Sequence, residues 1–239
     1  MAAKVQYKKE NYSKALEYYT EFKRIAEYAK NLFYAKTGIM RCYHKLNKYQ
    51  EAKEAAIQVL KAEKIPEELS REAHFIIGKA ELDNNNLHAA SYEFQMLSAN
   101  TRTKEGAESK FRIAEILVKQ NNPEKAKEEI FDFIDKNSPH QYWLAKSFIL
   151  LADIYHESGD NFQAKATLQS IIDNYKNKDD DIIKTAVEKL DQIVKEETAP
   201  EEKEEKQPVI INFDKGNNEK DNKLFDEENK YEKMYDESN

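Results

Sequence analysis

The side chains best suited to chemistry in this 239-residue chain belong to its single cysteine, Cys42, and to five histidines. Nucleophilic catalysis needs a cysteine or serine held by a histidine that a third group orients. Cys42 and His44 are two residues apart on a predicted helix, so their side chains point in different directions, and Cys42 falls on the apolar side. We therefore expect a buried structural cysteine and no catalytic residues.

The spacing of the histidines disfavours a metal site. A helical metal site places histidines and acids four residues apart on one face. The chain also lacks the GxGxxG and GxxxxGK loops that bind phosphates. The sequence thus predicts a protein that is not an enzyme and that uses no metal and no cofactor. The histidines are scattered: His44, His74, His88, His140 and His156.

Five segments share an alanine that follows a turn and opens an apolar helix. These alanines recur every 36 to 38 residues. Further packing residues follow each alanine at four and seven positions, a spacing that puts all three on one helix face. A repeat of this length indicates stacked supersecondary units. The five residues are Ala15, Ala52, Ala90, Ala126 and Ala164.

A second pattern, an aliphatic residue followed by a compact one, lies twelve and thirteen residues before each of the last four alanines. Asparagine, glycine and proline stand between the two patterns, as expected for turns that stop one helix and start the next. The compact residue lets two helices approach closely. Each unit is therefore predicted to be helix A, turn, helix B. The pairs are Ile39-Met40, Ile77-Gly78, Ile113-Ala114 and Leu151-Ala152.

The segment 155–164, YHESGDNFQA, sets a Gly-Asp turn before the alanine of helix B. It resembles the tetratricopeptide repeat (TPR), closest in style to bacterial cell-envelope proteins of the Tol–Pal coordinator and outer-membrane assembly lipoprotein type. The resemblance implies an all-α, right-handed α-α superhelix of helical hairpins. It also implies a scaffold that binds a protein or peptide segment in a concave groove lined by helices A.

Carrying the helix-A register over to this chain selects the groove residues. Their charges run from basic to acidic, so Arg41, Lys45 and Lys79 are predicted to clasp a carboxylate or acidic peptide, while the acids suit a basic segment. A solvated helix face explains the same charges equally simply. The selected residues are Tyr34, Arg41, His44, Lys45, Phe75, Lys79, Phe111, Glu115, Asp153 and His156.

Fourteen tyrosines are present, and eight of them fall within the first fifty residues. An aromatic ring can fill the gap between hairpins while its hydroxyl reaches water, so interior packing is one explanation. An aromatic peptide-binding strip near the amino end is the other. Trp143, at the start of a predicted helix A, is expected to pack between helices.

The repeat divides the chain into four parts: a partial hairpin with a truncated helix A (1–28), four hairpins (29–178), a final capping helix (179–197) and an acidic disordered tail (198–239). Thirteen acids and seven lysines in the tail supply most of the net charge of −7. The tail also contains a short apolar stretch, 208–213. Because the array begins in mid-unit, we expect the chain to be a fragment of a longer TPR protein.

Charge and hydropathy limit the partners and the location. The near-neutral array offers no positive field for nucleic acid, and the chain has no run of eighteen apolar residues and no hydrophobic leader. We expect no nucleic-acid binding, no membrane insertion and a cytoplasmic location as written, or a periplasmic or outer-membrane-associated one for a fragment. The alternative function is a structural spacer within a longer envelope-associated TPR protein.

Overall fold

The computed structural model describes residues 2–198, which form eleven α-helices and no strand. The expected all-α fold is thus confirmed. The predicted acidic tail, apart from Thr198, lies outside the described residues. The helices are α1 (Ala2–Lys8), α2 (Tyr12–Ile25), α3 (Ala29–Lys45), α4 (Tyr49–Leu60), α5 (Glu67–Asp83), α6 (Leu87–Ser98), α7 (Lys104–Lys119), α8 (Pro123–Asp135), α9 (Gln141–Glu157), α10 (Asn161–Asn174) and α11 (Ile182–Thr198).

Each even-numbered helix packs against the odd-numbered helices on both sides of it in the chain. All five repeat alanines are completely buried at these contacts. The aromatic ring of Phe94 lies against the compact residue Gly78, where an added Cβ would be 2.8 Å from the ring. The two sequence patterns therefore mark the surfaces on which helices A and B meet, as predicted.

The turn between helix A and helix B has the same geometry in four hairpins. One residue adopts positive φ, which asparagine and glycine tolerate best. The N–H of the residue after it donates to a carbonyl five residues back, as Lys48 does to Tyr43 at 3.0 Å, which closes the helix in a Schellman motif. These turn residues are Asn47, Asn85, Asn121 and Gly159.

The odd-numbered helices are the helices A of the hairpins, and they form the inner face of the array. Backbones of α1 and α3, of α5 and α7, of α7 and α9, and of α9 and α11 approach one another directly. Among residues 2–198, successive even-numbered helices make no comparable contact, so the array curves toward the odd-numbered side. None of the helices described is long and apolar enough to span a bilayer.

Candidate peptide-binding groove

The inner face is most open between α3 and α5, whose backbones do not approach as closely as those of the other successive odd-numbered helices in the described chain. Two cavities lie there. The first, of about 620 Å³, is enclosed by α1, α3 and the start of α5 and contains Tyr34 and Arg41. The second, of about 350 Å³, is enclosed by α3, α5 and α7 and contains four other predicted groove residues, His44, Lys45, Phe75 and Lys79.

Aromatic rings line the first cavity. Tyr34 is 44% exposed, and its ring meets the rings of Tyr19 and Phe22 edge-on at centroid distances of 5.8 and 6.3 Å. Burial raises the pKa of Tyr7 and of Tyr19, so both phenols stay neutral at physiological pH. Neutral hydroxyls can donate as well as accept hydrogen bonds. The cavity therefore offers an apolar ring surface with hydrogen-bonding hydroxyls at its edge.

Positive charge dominates the first cavity. Its wall carries Lys4, Lys8, Lys30 and Arg41, against a single acid, Glu68. The three lysines are exposed and have no ion-pair partner within residues 2–198. Free ammonium groups beside an aromatic surface suit a ligand that combines a carboxylate with an apolar side chain.

Arg41 separates the two cavities through a contact with Glu72 on α5. Its Nε donates to Glu72 Oε1 at 2.8 Å, and its Nη2 donates to Oε2 at 2.5 Å. This hydrogen bonding raises the pKa of the Arg41 guanidinium against the opposing effect of desolvation, and Coulomb attraction to Glu72 adds a smaller contribution. Arg41 thus already holds a carboxylate of its own chain.

His44 lies at the floor of the second cavity. Its ring meets Phe75 edge-on at 6.3 Å, and its Nδ1 is buried with no hydrogen-bond partner among the described residues. Burial, followed by the charges of Lys79 and Lys45, lowers the pKa of His44. The imidazole is therefore neutral at physiological pH and keeps an unused polar nitrogen.

The predicted gradient of groove charges is largely neutralised inside the chain. Lys79 on α5 donates to Glu108 on α7 at 3.2 Å, and Lys189 on α11 donates to Asp153 on α9 at 2.7 Å. Of the three bases predicted to form a clasp, only Lys45 has no acidic partner within residues 2–198. The charged residues of the inner face therefore join successive helices A as well as facing the groove.

The remaining predicted residues lie further along the array. Phe111 is only 8% exposed, because Trp143 covers it at a centroid distance of 5.6 Å. Glu115 accepts from Arg112 at 2.8 Å. Asp153 and His156 share a third cavity of about 240 Å³ beside α11. The structure therefore brings Tyr34 and Arg41 together, groups four residues in the second cavity, and leaves Phe111 and Glu115 outside both.

Cys42 is completely buried and packs with Ala3, Ala15, Tyr19 and Ile39. Burial raises the pKa of its thiol to about 11, so the nucleophilic thiolate is scarce at neutral pH. Among residues 2–198, no three histidine, cysteine or acidic side chains are grouped to hold a metal ion.

Sequence reasoning missed the lysines of the first cavity and the acids that pair with the groove bases. Lys4 and Lys8 come from α1, a helix too short to show a repeat register. Glu72 and Glu108 could have been found, since they stand 36 residues apart, one repeat period, at the same place in successive helices A.

Comparisons with known proteins agree with this architecture. A model of the tetratricopeptide repeat matches residues 141–178, which hold α9 and α10. A comparison with curated proteins finds no match to this sequence.

Several solved structures share the fold at low sequence identity. MamA is 16% identical, with 82% of this chain and 98% of that one covered and a TM-score of 0.56. YrrB, described as a TPR protein with an unusual peptide-binding site, is 16% identical, with 78% and 87% covered and a TM-score of 0.56. The C-terminal part of a TPR repeat-containing protein from Cytophaga hutchinsonii is 15% identical, with 82% and 79% covered and a TM-score of 0.58. Residues 141–178 thus match the tetratricopeptide repeat, and the described chain shares the helical-hairpin solenoid fold of these solved structures.

Proposed function

We propose that this protein is a non-enzymatic scaffold that binds an extended protein or peptide segment along the inner face of its repeat array. The observation that carries the proposal is the first cavity, where free lysines and an exposed tyrosine ring converge on an open space of about 620 Å³. Ligand sites are concave and mostly apolar, with a few polar groups that fix orientation. A cavity of this kind suits an acidic residue beside an apolar or aromatic one.

The second cavity extends this surface toward α7. Lys45 supplies another free ammonium group, and the Phe75 ring supplies an apolar contact. An extended peptide of a few residues would pass over the Arg41–Glu72 pair to reach both cavities. YrrB offers a precedent for peptide binding on this fold, because it is described as having such a site.

Ligand selection on the whole chain would test the proposal. Peptides selected from a random library should carry an acidic residue next to an aliphatic or aromatic one. The double substitution Lys4→Glu with Lys30→Glu should weaken binding of the best peptide by about tenfold or more, since each new carboxylate repels the acidic residue that the lysine attracted. Tyr34→Ala should weaken it through loss of the ring surface.

The matched control is Tyr92→Ala, because Tyr92 is an exposed tyrosine on α6, an outer helix. Binding that survives all the first-cavity variants would disprove this site. If no peptide is selected at all, the alternative is favoured, in which these hairpins space other parts of a longer cell-envelope TPR protein.

A further inference from the structure

The last helix exposes an apolar stripe that the preceding helices A bury. Val187 and Val194 on α11 are 38% and 43% exposed, and Ile183 and Leu190 on the same face are half-buried. The stripe has the spacing of one helix face, with steps of four, three and four residues. One repeat earlier, 38 residues back, three of the four corresponding positions on α9 are the buried Ala145, Ile149 and Ala152, and the fourth is the half-buried His156.

The adjacent face of α11 is already occupied. Ile182, Ala186 and Ile193 pack into the cluster formed by α9 and α10, and Lys189 pairs with Asp153. The stripe is therefore a neighbouring surface, turned by about one residue step around the helix. Leu190 at its edge also packs against that cluster, whereas Val187 and Val194 stay exposed.

We infer that two copies of this protein associate through this stripe, with their α11 helices antiparallel. In that arrangement, Ile183 of one copy meets Val194 of the other, and Val187 meets Leu190. Every apolar residue of the stripe thereby gains an apolar partner. The pairing is symmetric, as expected for a twofold dimer.

The charges beside the stripe favour this occupant and this direction. Antiparallel pairing brings Lys184 of each copy beside Asp191 of the other, which gives two ion pairs in the dimer. Asp191 is exposed and has no ionic partner in the described part of the chain, and Lys184 makes only a 3.8 Å contact with Glu188. Parallel pairing would instead set Lys184 and Asp191 against the row of Ala186 and Ile193, which is buried in each copy.

The interface would be small, because one helix per copy contributes to it. Interfaces below about 1,200 Å² belong to weak, reversible complexes. We therefore expect dimerisation at high protein concentration and dissociation on dilution. The inference is independent of the first and second cavities, which are lined by residues of the amino-terminal part of the array.

Sedimentation velocity on the whole chain tests the inference. The wild-type mass should rise with concentration toward twice the 28.0 kDa of one chain. Val187→Glu should weaken self-association by about tenfold or more. Ile57→Glu is the matched control, because Ile57 is equally exposed, at 37%, but lies on α4. A protein that stays monomeric throughout, or one whose dimer tolerates Val187→Glu, overturns the inference.

Charge reversal tests the direction of pairing without touching the apolar residues. Lys184→Glu and Asp191→Lys should each weaken the dimer, because each places two like charges together. The double variant should recover it, and a mixture of the two single variants should form a mixed dimer, since every contact is again between opposite charges. A double variant no better than the single ones would rule out the antiparallel arrangement.

Discussion

Arg41 and Glu72 join α3 to α5 by a two-pronged contact, with 2.8 Å between Arg41 Nε and Glu72 Oε1. The pair stands between the two cavities of the inner face, at the widest gap between successive helices A. The same guanidinium was predicted from sequence to hold a ligand carboxylate. Glu72 and an acidic peptide would therefore compete for Arg41.

Removing the negative charge of Glu72 is expected to strengthen binding of an acidic peptide. Glu72→Gln frees the guanidinium of Arg41, so affinity should rise several-fold, measured by fluorescence anisotropy with the selected peptide. Glu21→Gln is the matched control, since it releases Arg24 from a similar pair on α2, outside both cavities. Weaker binding by Glu72→Gln would show that the pair positions the site rather than competing with the ligand.

Gly106→Ala should destabilise the protein although alanine is the better helix former. An added Cβ at Gly106 would lie 2.0 Å from the backbone carbonyl oxygen of Asn100. Overpacking of this kind costs about 1–3 kcal/mol, which exceeds the helix-propensity gain of about 1 kcal/mol. The free energy of unfolding from urea titration measures the change.

Gly159→Ala provides the comparison, because it meets no atom within 4 Å and suffers only from its positive φ of 84°. Its cost should be about 1 kcal/mol, from left-handed backbone strain alone. An increase in stability for Gly106→Ala would mean that the 99–103 loop can shift to make room.

Lys110 should give the protein a characteristic acid sensitivity. Its buried ammonium on α7 contacts Glu129 and Asp132 on α8, and hydrogen bonding from Lys110 lowers the pKa of Asp132 below its ordinary 3.8. A carboxylate with a lowered folded-state pKa contributes stability above its unfolded pKa and loses it as pH falls through the folded value. Lys110→Met should therefore lose less stability than the wild type below pH 3.8.

Urea unfolding at a series of acidic pH values measures this difference. Lys125→Met is the control, because Lys125 on α8 is exposed and forms no ion pair within residues 2–198, so its variant should follow the wild-type curve. Parallel curves for Lys110→Met and the wild type would show that the α7–α8 cluster does not couple to proton uptake.

Trp143 should be a principal contributor to the junction of α7 and α9. Its indole covers Phe111 at 5.6 Å and lies under the Arg112 guanidinium, also at 5.6 Å. Trp143→Ala removes both contacts from a half-buried position and should cost about 2 kcal/mol or more. Trp143→Phe should retain part of that energy, which thermal unfolding followed by circular dichroism would show. Equal melting temperatures for the three proteins would contradict this role.

Most of the fold could be predicted from the sequence because the residue patterns that indicate it are local. A helix buries residues at steps of three and four, so Ala52, Ala90 and Ala126 identified their own buried faces, and each proved completely buried. Asn47 and Gly159 identified turns because few residues tolerate positive φ. The division of the chain into a partial hairpin, four hairpins, a last helix and a tail remains a prediction.

The candidate site was only partly predictable. Helical register placed Tyr34, His44 and Phe75 on the inner face, where the structure finds them lining cavities. Helical register did not predict that Trp143, 32 residues away, covers Phe111. It also did not predict that the lysines of α1 complete the first cavity.

The sequence by itself determined the repeat, its turns and the buried face of each helix, because backbone stereochemistry and helical periodicity fix these within one unit. Only the tertiary structure decided which groove charges remain free. Arg41 and Glu72 stand 31 residues apart on helices that meet across a gap, and the width of that gap depends on how all the side chains between the hairpins pack. That spacing pairs Arg41, leaves Lys45 unpaired and opens the first cavity.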